Sequence, residues 1–236
     1  MKAAVRQKYG LPGDLGVKEL SIPAPKENEI LIRVHASTVN RSDCHILSGK
    51  PLVMRLFTGL FKPRNAIGGS DFAGEVKAVG SSVTSFKAGD RIMGFNGGLG
   101  HGAHSQYMIL SEQRAQKVMV PMPSNIGYEE AAACLEGAVY ASGINHLGIQ
   151  PEHKVMVYGA TGAIGVAYMQ FLKGHGAEVT AVCRGGHMEL VRSWGAKKVI
   201  DYETEDFRND DEHYDFIFDA VGKISFAECK KLLKPN

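Results

Sequence analysis

Seven consecutive residues carry the strongest chemical signal in this 236-residue chain: Gly159, Ala160, Thr161, Gly162, Ala163, Ile164 and Gly165. They follow a short apolar run, KVMVYG (154–159), and they open a helical pattern from Gly162 to His175. A strand that ends in glycine and turns directly into a helix suits a pyrophosphate. Glycines allow the tight turn and the close backbone approach, and the first turn of the helix offers unpaired N–H groups and a positive pole. A bare glycine pattern is weak, but the required context stands on both sides here. The motif therefore predicts dinucleotide binding.

The choice of dinucleotide is read about 20 residues further on, where an NAD site usually places Asp or Glu for the ribose hydroxyls. This chain has Val182-Cys183-Arg184-Gly185-Gly186-His187, with no acid before Glu189. Arg184 can offer a planar donor fork to a 2′-phosphate, and no carboxylate in that stretch repels it. The expected cofactor is NADPH; a solvated loop cation is the other reading of Arg184.

These residues need a scaffold, and the chain supplies two kinds. Before residue 124, short alternating runs are broken by glycine and proline: 29–37, 71–80, 90–95 and 104–110. They predict an all-β unit. Met119 to Asn125, with Pro121 and Pro123, reads as a linker. After it, apolar runs at 154–159, 178–183, 197–202 and 214–222 alternate with helical segments, which predicts a parallel sheet covered on both faces. The expected division is a β domain over 1–124 and a dinucleotide-binding domain over 125–236. A doubly wound sheet of this type has six strands; the pattern here supplies four and ends in a helix over 224–233, where a fifth would begin.

Composition sets limits on function. Hydrophobic residues make up 44% and charged residues 22%, with a net charge of +2 and scattered basic residues. The cations from Lys223 to Lys234 suit the end of a helix, and nucleic acid is not an expected partner. No apolar run approaches the ~18 residues of a membrane span, and MKAAVRQKYG lacks the apolar core of a signal peptide. Cys44, Cys134, Cys183 and Cys229 are widely spaced, as free thiols of a reducing compartment are. The expected setting is the cytoplasm, without a membrane partner.

A family resemblance covers nearly the whole chain. Gly69-Ser70-Asp71-Phe72-Ala73-Gly74-Glu75-Val76, then Val79-Gly80, then Phe86-Lys87-Ala88-Gly89-Asp90-Arg91, resembles the signature of medium-chain dehydrogenases/reductases. Val39-Asn40-Arg41-Ser42-Asp43 is similar to an element of their zinc-free, quinone oxidoreductase-like branch, and GATGAIG and Asp219-Ala220-Val221-Gly222 fit the same group. The resemblance implies a GroES-like β-barrel domain followed by a Rossmann domain, here incomplete, with Val221 among the cofactor-binding residues and the active site between the domains. It also implies a small-molecule carbonyl or quinone substrate, and it allows a homodimer of the full-length parent.

The resemblance also tests for zinc. Where zinc-dependent relatives place Cys, His and Cys, this chain has Asn40, Ser70 and Glu136, and the lobe of four cysteines that holds structural zinc is absent. No metal is expected. Cys44-His45 reads as structural, as do His101 and His104. Asn40 is then a candidate to orient cofactor and substrate. Asp43 has either a role in that pocket or a role in organising its loop through backbone hydrogen bonds. Tyr140, in Glu136-Gly137-Ala138-Val139-Tyr140-Ala141, stands where relatives carry a small hydroxyl residue; it can donate to substrate or narrow the pocket. Tyr202 matches a position against the adenosine end of the cofactor, with strand-end contact as the plainer reading. Leu56 to Phe61 reads as a pocket-lining loop or as a surface loop.

The leading function is hydride transfer from NADPH to a quinone or to an α,β-unsaturated carbonyl. The alternative is a non-catalytic NADPH-binding protein or an inactive fragment of such an enzyme. An atypical short-chain reductase is disfavoured, because the glycine motif follows roughly 150 residues of β-rich chain instead of opening it.

Overall fold

The computed structural model describes residues 1–98 and 100–235, so Asn236, the last residue of the expected second domain, lies outside the described residues. The chain forms two compact units, Met1–Glu136 and Gly137–Asn236.

The first unit is built on antiparallel strands. β1 (Lys2–Val5) and β2 (Gly16–Glu19) form a two-stranded ribbon. β3 (Glu29–Ala36) leads into helix α1 (Arg41–Ser48) and a single helical turn, α2 (Arg55–Thr58). β4 (Asp71–Val79), β5 (Arg91–Phe95) and β6 (Tyr107–Ser111) follow, then helix α3 (Glu112–Val118), strand β7 (Met119–Pro121) and helix α4 (Tyr128–Ala133). The five-stranded sheet runs β6-β3-β4-β5-β7, and isolated pairs at Ala3–Ser105 and Val5–Ile67 join β1 to the chain around it. β5 and β6 bury every second residue, as a half-buried strand should. Their inward residues Ile92, Met108 and Leu110 meet Ile30, Ile32, Phe72 and Val76 in one core.

In the second unit, helix α5 (Leu135–Ala141) spans the division, and β8 (Lys154–Tyr158), α6 (Ala163–His175), β9 (Glu178–Cys183), α7 (Met188–Ser193), β10 (Lys198–Asp201), β11 (Phe216–Asp219) and α8 (Phe226–Cys229) follow. The four strands are all parallel, in the order β10-β9-β8-β11. Numbered within this unit, that order is 3-2-1-4, the start of a Rossmann sheet. Both faces are covered. Val155, Val157, Val179 and Ala181 meet Met169, Leu172 and Val191 on one side. Met156, Val182 and Ile200 meet Tyr214 and Leu232 on the other. No helix among the described residues is long and apolar enough to cross a membrane.

Three sequence expectations need correction. Met119–Pro121 is not linker but strand, hydrogen-bonded to β5. The division between units falls after Glu136, not after residue 124. Ala131 and Ala132 of α4 are buried with Ala73 and Met122, which ties that helix to the β unit. The closing helix is also shorter than the span 224–233. It is helical only over Phe226–Cys229, tightens into a 3₁₀ turn at Lys230–Leu232, and then pairs Leu233 with Tyr214.

The β-unit core sets its stability. Phe72 is fully buried, with its ring over Gly94 so closely that a β-carbon there would lie 2.6 Å from it. Phe72→Ala should lower the unfolding free energy by about 3–5 kcal/mol. Phe61→Ala, at a side chain 90% exposed, should change it by less than about 0.5 kcal/mol. Urea denaturation of the two variants checks both values.

Candidate functional site

The glycine motif is where the second unit departs from ordinary chain. β8 ends at Tyr158, and Gly159 takes φ +82°, a left-handed turn that side chains resist. The chain then crosses in front of the sheet and enters α6 at Ala163, with Gly162 as N-cap and no side-chain cap on the helix. A β-carbon at Gly165 would lie 2.2 Å from the Gly159 carbonyl oxygen. Helix and strand end therefore meet backbone to backbone at that point. A β-carbon at Gly159 would lie 2.2 Å from Val221 Cγ2, which puts Val221 against the turn. β8 and β11 are neighbours in the sheet, and the sheet order reverses between them, which is the place where open α/β sheets bind ligands. Gly137 of α5 comes equally close, with its missing β-carbon 2.4 Å from the Ala163 carbonyl oxygen. Tyr140, one helical turn further on, is half exposed. Uncapped N–H groups at the head of a 13-residue helix, beside a cradle that only glycine fits, suit a dinucleotide pyrophosphate.

Arg184, just past the end of β9, has an acidic neighbour that its local sequence does not show. Arg184 Nε lies 3.1 Å from Glu203 Oε1, and both side chains are about half exposed. Glu203 and Tyr202 hold the guanidinium above its ordinary pKa, first through the Glu203 charge and then through Tyr202, charge and hydrogen bond together. Asp201 lies against Gly185, where a β-carbon would be 2.3 Å from its Oδ2. Arg184 and Tyr202 are thus brought together, and two carboxylates from the end of the next strand accompany them.

In the first unit, Asn40 and Asp43 form a reciprocal cap at the head of α1. Asp43 N–H donates to Asn40 Oδ1, and Asn40 N–H donates to Asp43 Oδ2, each at 3.0 Å. Asp43 Oδ1 accepts from Gly69 N–H at 3.2 Å, so its hydrogen bonds organise the loop. The Asn40 side-chain amide donates onward to Ser70 Oγ and to Asp71 Oδ2, each at 3.0 Å. Thr38 Oγ1 also donates to Asp71 Oδ2, and Ser42 Oγ donates to Glu136 Oε1 at 2.6 Å. His104 Nε2 lies 2.8 Å from the Thr38 carbonyl oxygen, a structural tie. Asp71 is 1% exposed, and burial pushes its carboxyl above the ordinary range against the pull of Thr38 and Asn40. Burial raises Glu136 as well, with Ser42 opposing. The Asn40, Ser70 and Glu136 positions present an amide, a hydroxyl and a carboxylate, with the amide N–H directed at the hydroxyl. Zinc is held by thiolate, imidazole and carboxylate groups; of these three positions only Glu136 offers one, and its Oε1 already accepts from Ser42. No group of three or more metal-binding side chains is found among the described residues.

Comparison with known proteins identifies the family. A family model described as the alcohol dehydrogenase GroES-like domain matches residues 26–124, and one described as zinc-binding dehydrogenase matches residues 163–236. A chloroplast envelope quinone oxidoreductase homolog of Arabidopsis thaliana is 32% identical over 251 residues, covering 100% of this chain and 73% of the relative. The chain belongs to the medium-chain dehydrogenase/reductase family, among its quinone oxidoreductase-like members. Another relative, the chloroplastic NADPH-dependent alkenal/one oxidoreductase of Arabidopsis thaliana, is 30% identical over 240 residues, with 99% of this chain and 59% of the relative covered. The solved quinone oxidoreductase from Coxiella burnetii shares the fold with a TM-score of 0.88 at 24% identity, over 99% of this chain and 73% of that one. The chain therefore spans between about three fifths and three quarters of the length of these relatives and about three quarters of that solved chain.

The buried carboxylates give this family member a measurable pH dependence. A carboxyl whose folded pKa is raised binds its proton more tightly in the native state, so stability falls as pH rises from the unfolded pKa (about 4) through the folded one. Asp71→Asn removes that contribution, so its stability relative to the parent should increase from pH 4 to pH 7. Urea midpoints at three pH values across that window test this; a constant difference between the two proteins would exclude a raised Asp71.

Proposed function

We propose that this chain carries the cofactor-holding and substrate-orienting parts of a zinc-independent, NADPH-dependent reductase that reduces a quinone or an α,β-unsaturated carbonyl. The observation that carries the reading is the backbone cradle at Gly159–Gly165, open at the head of α6. The quinone oxidoreductase and alkenal/one oxidoreductase names of its relatives support the reaction class.

When bound, NADPH supplies a hydride from its nicotinamide ring. This chain's residues bind and orient. The N–H groups at the start of α6 neutralise the pyrophosphate, Val221 fixes the turn, and Arg184 offers its terminal N–H groups to the 2′-phosphate. That hydride, with a proton, would reduce the carbon–carbon double bond of an enone or convert a quinone to its hydroquinone. Without a metal, charge that develops on the substrate oxygen needs hydrogen-bond donors. Tyr140 is assigned to that work. Asn40, whose two amide hydrogens are already given to Ser70 and Asp71, acts by holding its loop in place.

Calorimetry of the 236-residue chain with NADPH and NADH at fixed salt is the decisive test. NADPH should bind at least tenfold more tightly than NADH. Arg184→Ala should weaken NADPH about 10- to 100-fold, the range for one or two charge-assisted hydrogen bonds, and leave NADH unchanged. Glu203→Gln, which removes the carboxylate beside the phosphate position, should tighten NADPH alone. Equal affinities of the parent chain for the two cofactors would overturn the NADPH assignment. In turnover assays, Asn40→Ala and Tyr140→Phe should lose rate while they retain NADPH binding; unchanged rates would remove both residues from the mechanism.

A further inference from the structure

A second cavity, in the β unit, shares no lining residue with the glycine cradle or with the Asn40–Asp71 cluster. It has a volume of about 120 Å³ and is lined by Arg6, Phe57, Thr58, Arg64, Asn65 and His101. That volume is far more than one water needs, and it accommodates a tetrahedral oxyanion. Two guanidinium groups and an imidazole line it, and no carboxylate does.

Arg6 makes the cavity unusual. It is 4% exposed, yet the partners of its guanidinium are main-chain carbonyls: Ile46 through Nη1 at 2.6 Å, and Asn65 through Nε and Nη2 at 3.2 Å. Neutral carbonyls orient a buried cation without cancelling its charge. The Asp43 carboxylate acts on Arg6 from a distance, but its oxygens are committed to Asn40, Gly69 and, at 3.8 Å, His104. Arg64, with an exposed residue position at the rim, adds a second positive charge.

His101 provides the third observation. It holds φ +74°, the one described non-glycine residue in the left-handed region. Its backbone is fixed by hydrogen bonds to and from Asn96, at 2.8 and 3.0 Å. Its Nε2 lies 2.8 Å from the Gly98 carbonyl oxygen, and a carbonyl only accepts, so Nε2 carries the proton. Nδ1 is then a bare lone pair, buried and without a partner. A strained residue that buries an unsatisfied ring nitrogen at a cavity lined by two arginines calls for a ligand.

We infer that this cavity is a binding site for a small oxyanion, a phosphate or carboxylate group, held by Arg6 and Arg64 beside the ring of a protonated His101. Burial holds the unliganded His101 imidazole below its ordinary pKa; the hydrogen bond to Gly98 and the Asp43 charge oppose it, and Arg6 and His104 add to it. An anion held beside the ring by Arg6 and Arg64 reverses the balance. Binding therefore takes up a proton and strengthens as pH falls through the histidine range.

The test is a titration of the full chain with inorganic phosphate at constant ionic strength, read by calorimetry and by the NMR titration of the His101 ring. Saturable binding with a Kd on the order of 1 mM, a raised His101 pKa and tighter binding at the lower pH are expected. Arg64→Ala, at the rim, should weaken phosphate about tenfold or more. His101→Asn keeps a residue type that tolerates the left-handed backbone, and it should abolish the pH dependence. Methyl phosphate and acetate separate the sources: equal binding of methyl phosphate points to a phosphoryl group on an organic molecule, and preference for acetate points to a carboxylate. Each supports an oxyanion site. Absence of saturable binding by all three probes, or binding that both variants leave unchanged, overturns it.

Discussion

The Gly165 α-carbon can carry no side chain, because a methyl group would lie 2.2 Å from the Gly159 carbonyl oxygen. That single close approach governs the second unit. It lets α6 begin directly over the end of β8, so the N–H groups of its first turn face the space beyond the strand ends instead of a side chain. Everything else in the unit holds this arrangement in place. Val155, Val157, Met169 and Leu172 fasten strand and helix together through a fully buried core, and Val221 closes the turn from the neighbouring strand end. Burial of several such side chains, each contributing about 1.5–3 kcal/mol, outweighs the backbone entropy that glycine-rich chain loses on ordering.

The first unit solves a different problem: it keeps carboxylates inside a β domain. Asp71 starts β4 and is almost wholly buried. It is tolerable there because Thr38 and Asn40 both donate to it. Asn40 performs three tasks with one side chain. Its oxygen caps α1, and its amide nitrogen reaches both Ser70 and Asp71. The Asn40 position is thus built into the hydrogen bonding of the loop, with its carbonyl oxygen already accepting from the Asp43 N–H.

Much of this was legible in the sequence where one physical signal dominates. EVTAVC reads as a strand over 178–183 and is a strand over those residues, because a short run rich in apolar and β-branched residues between polar ends leaves few alternatives. The glycine motif was legible because its spacing is a steric requirement. Met119–Pro121 was misread because its prolines signal a break. In the structure the strand is short and lies at the sheet edge, where proline is permitted. The partnership of Arg184 with Glu203 was not legible from local sequence. Glu203 lies 19 positions further on, and only the parallel pairing of β9 with β10 brings the two strand ends together. The desolvation of Asp71 escaped notice for a related reason: the motif marks the residue, but burial and its cost come from tertiary contacts.

The helix heads show how the two units divide their chemistry. α1 closes its own N-terminus with Asn40 and Asp43. Ser111 caps α3, and Ser225 with Glu228 caps α8. Each of those side chains satisfies donors that would otherwise seek water or a ligand. At the head of α6, the longest of these helices, the cap position holds Gly162 and no side chain intervenes. Replacing a capping side chain by glycine costs a helix only a few tenths of a kcal/mol, which is small against the burial that anchors α6. The fold can therefore leave those donors open at little cost, and an anionic group brought to the strand ends meets N–H groups that are already oriented and need no rearrangement.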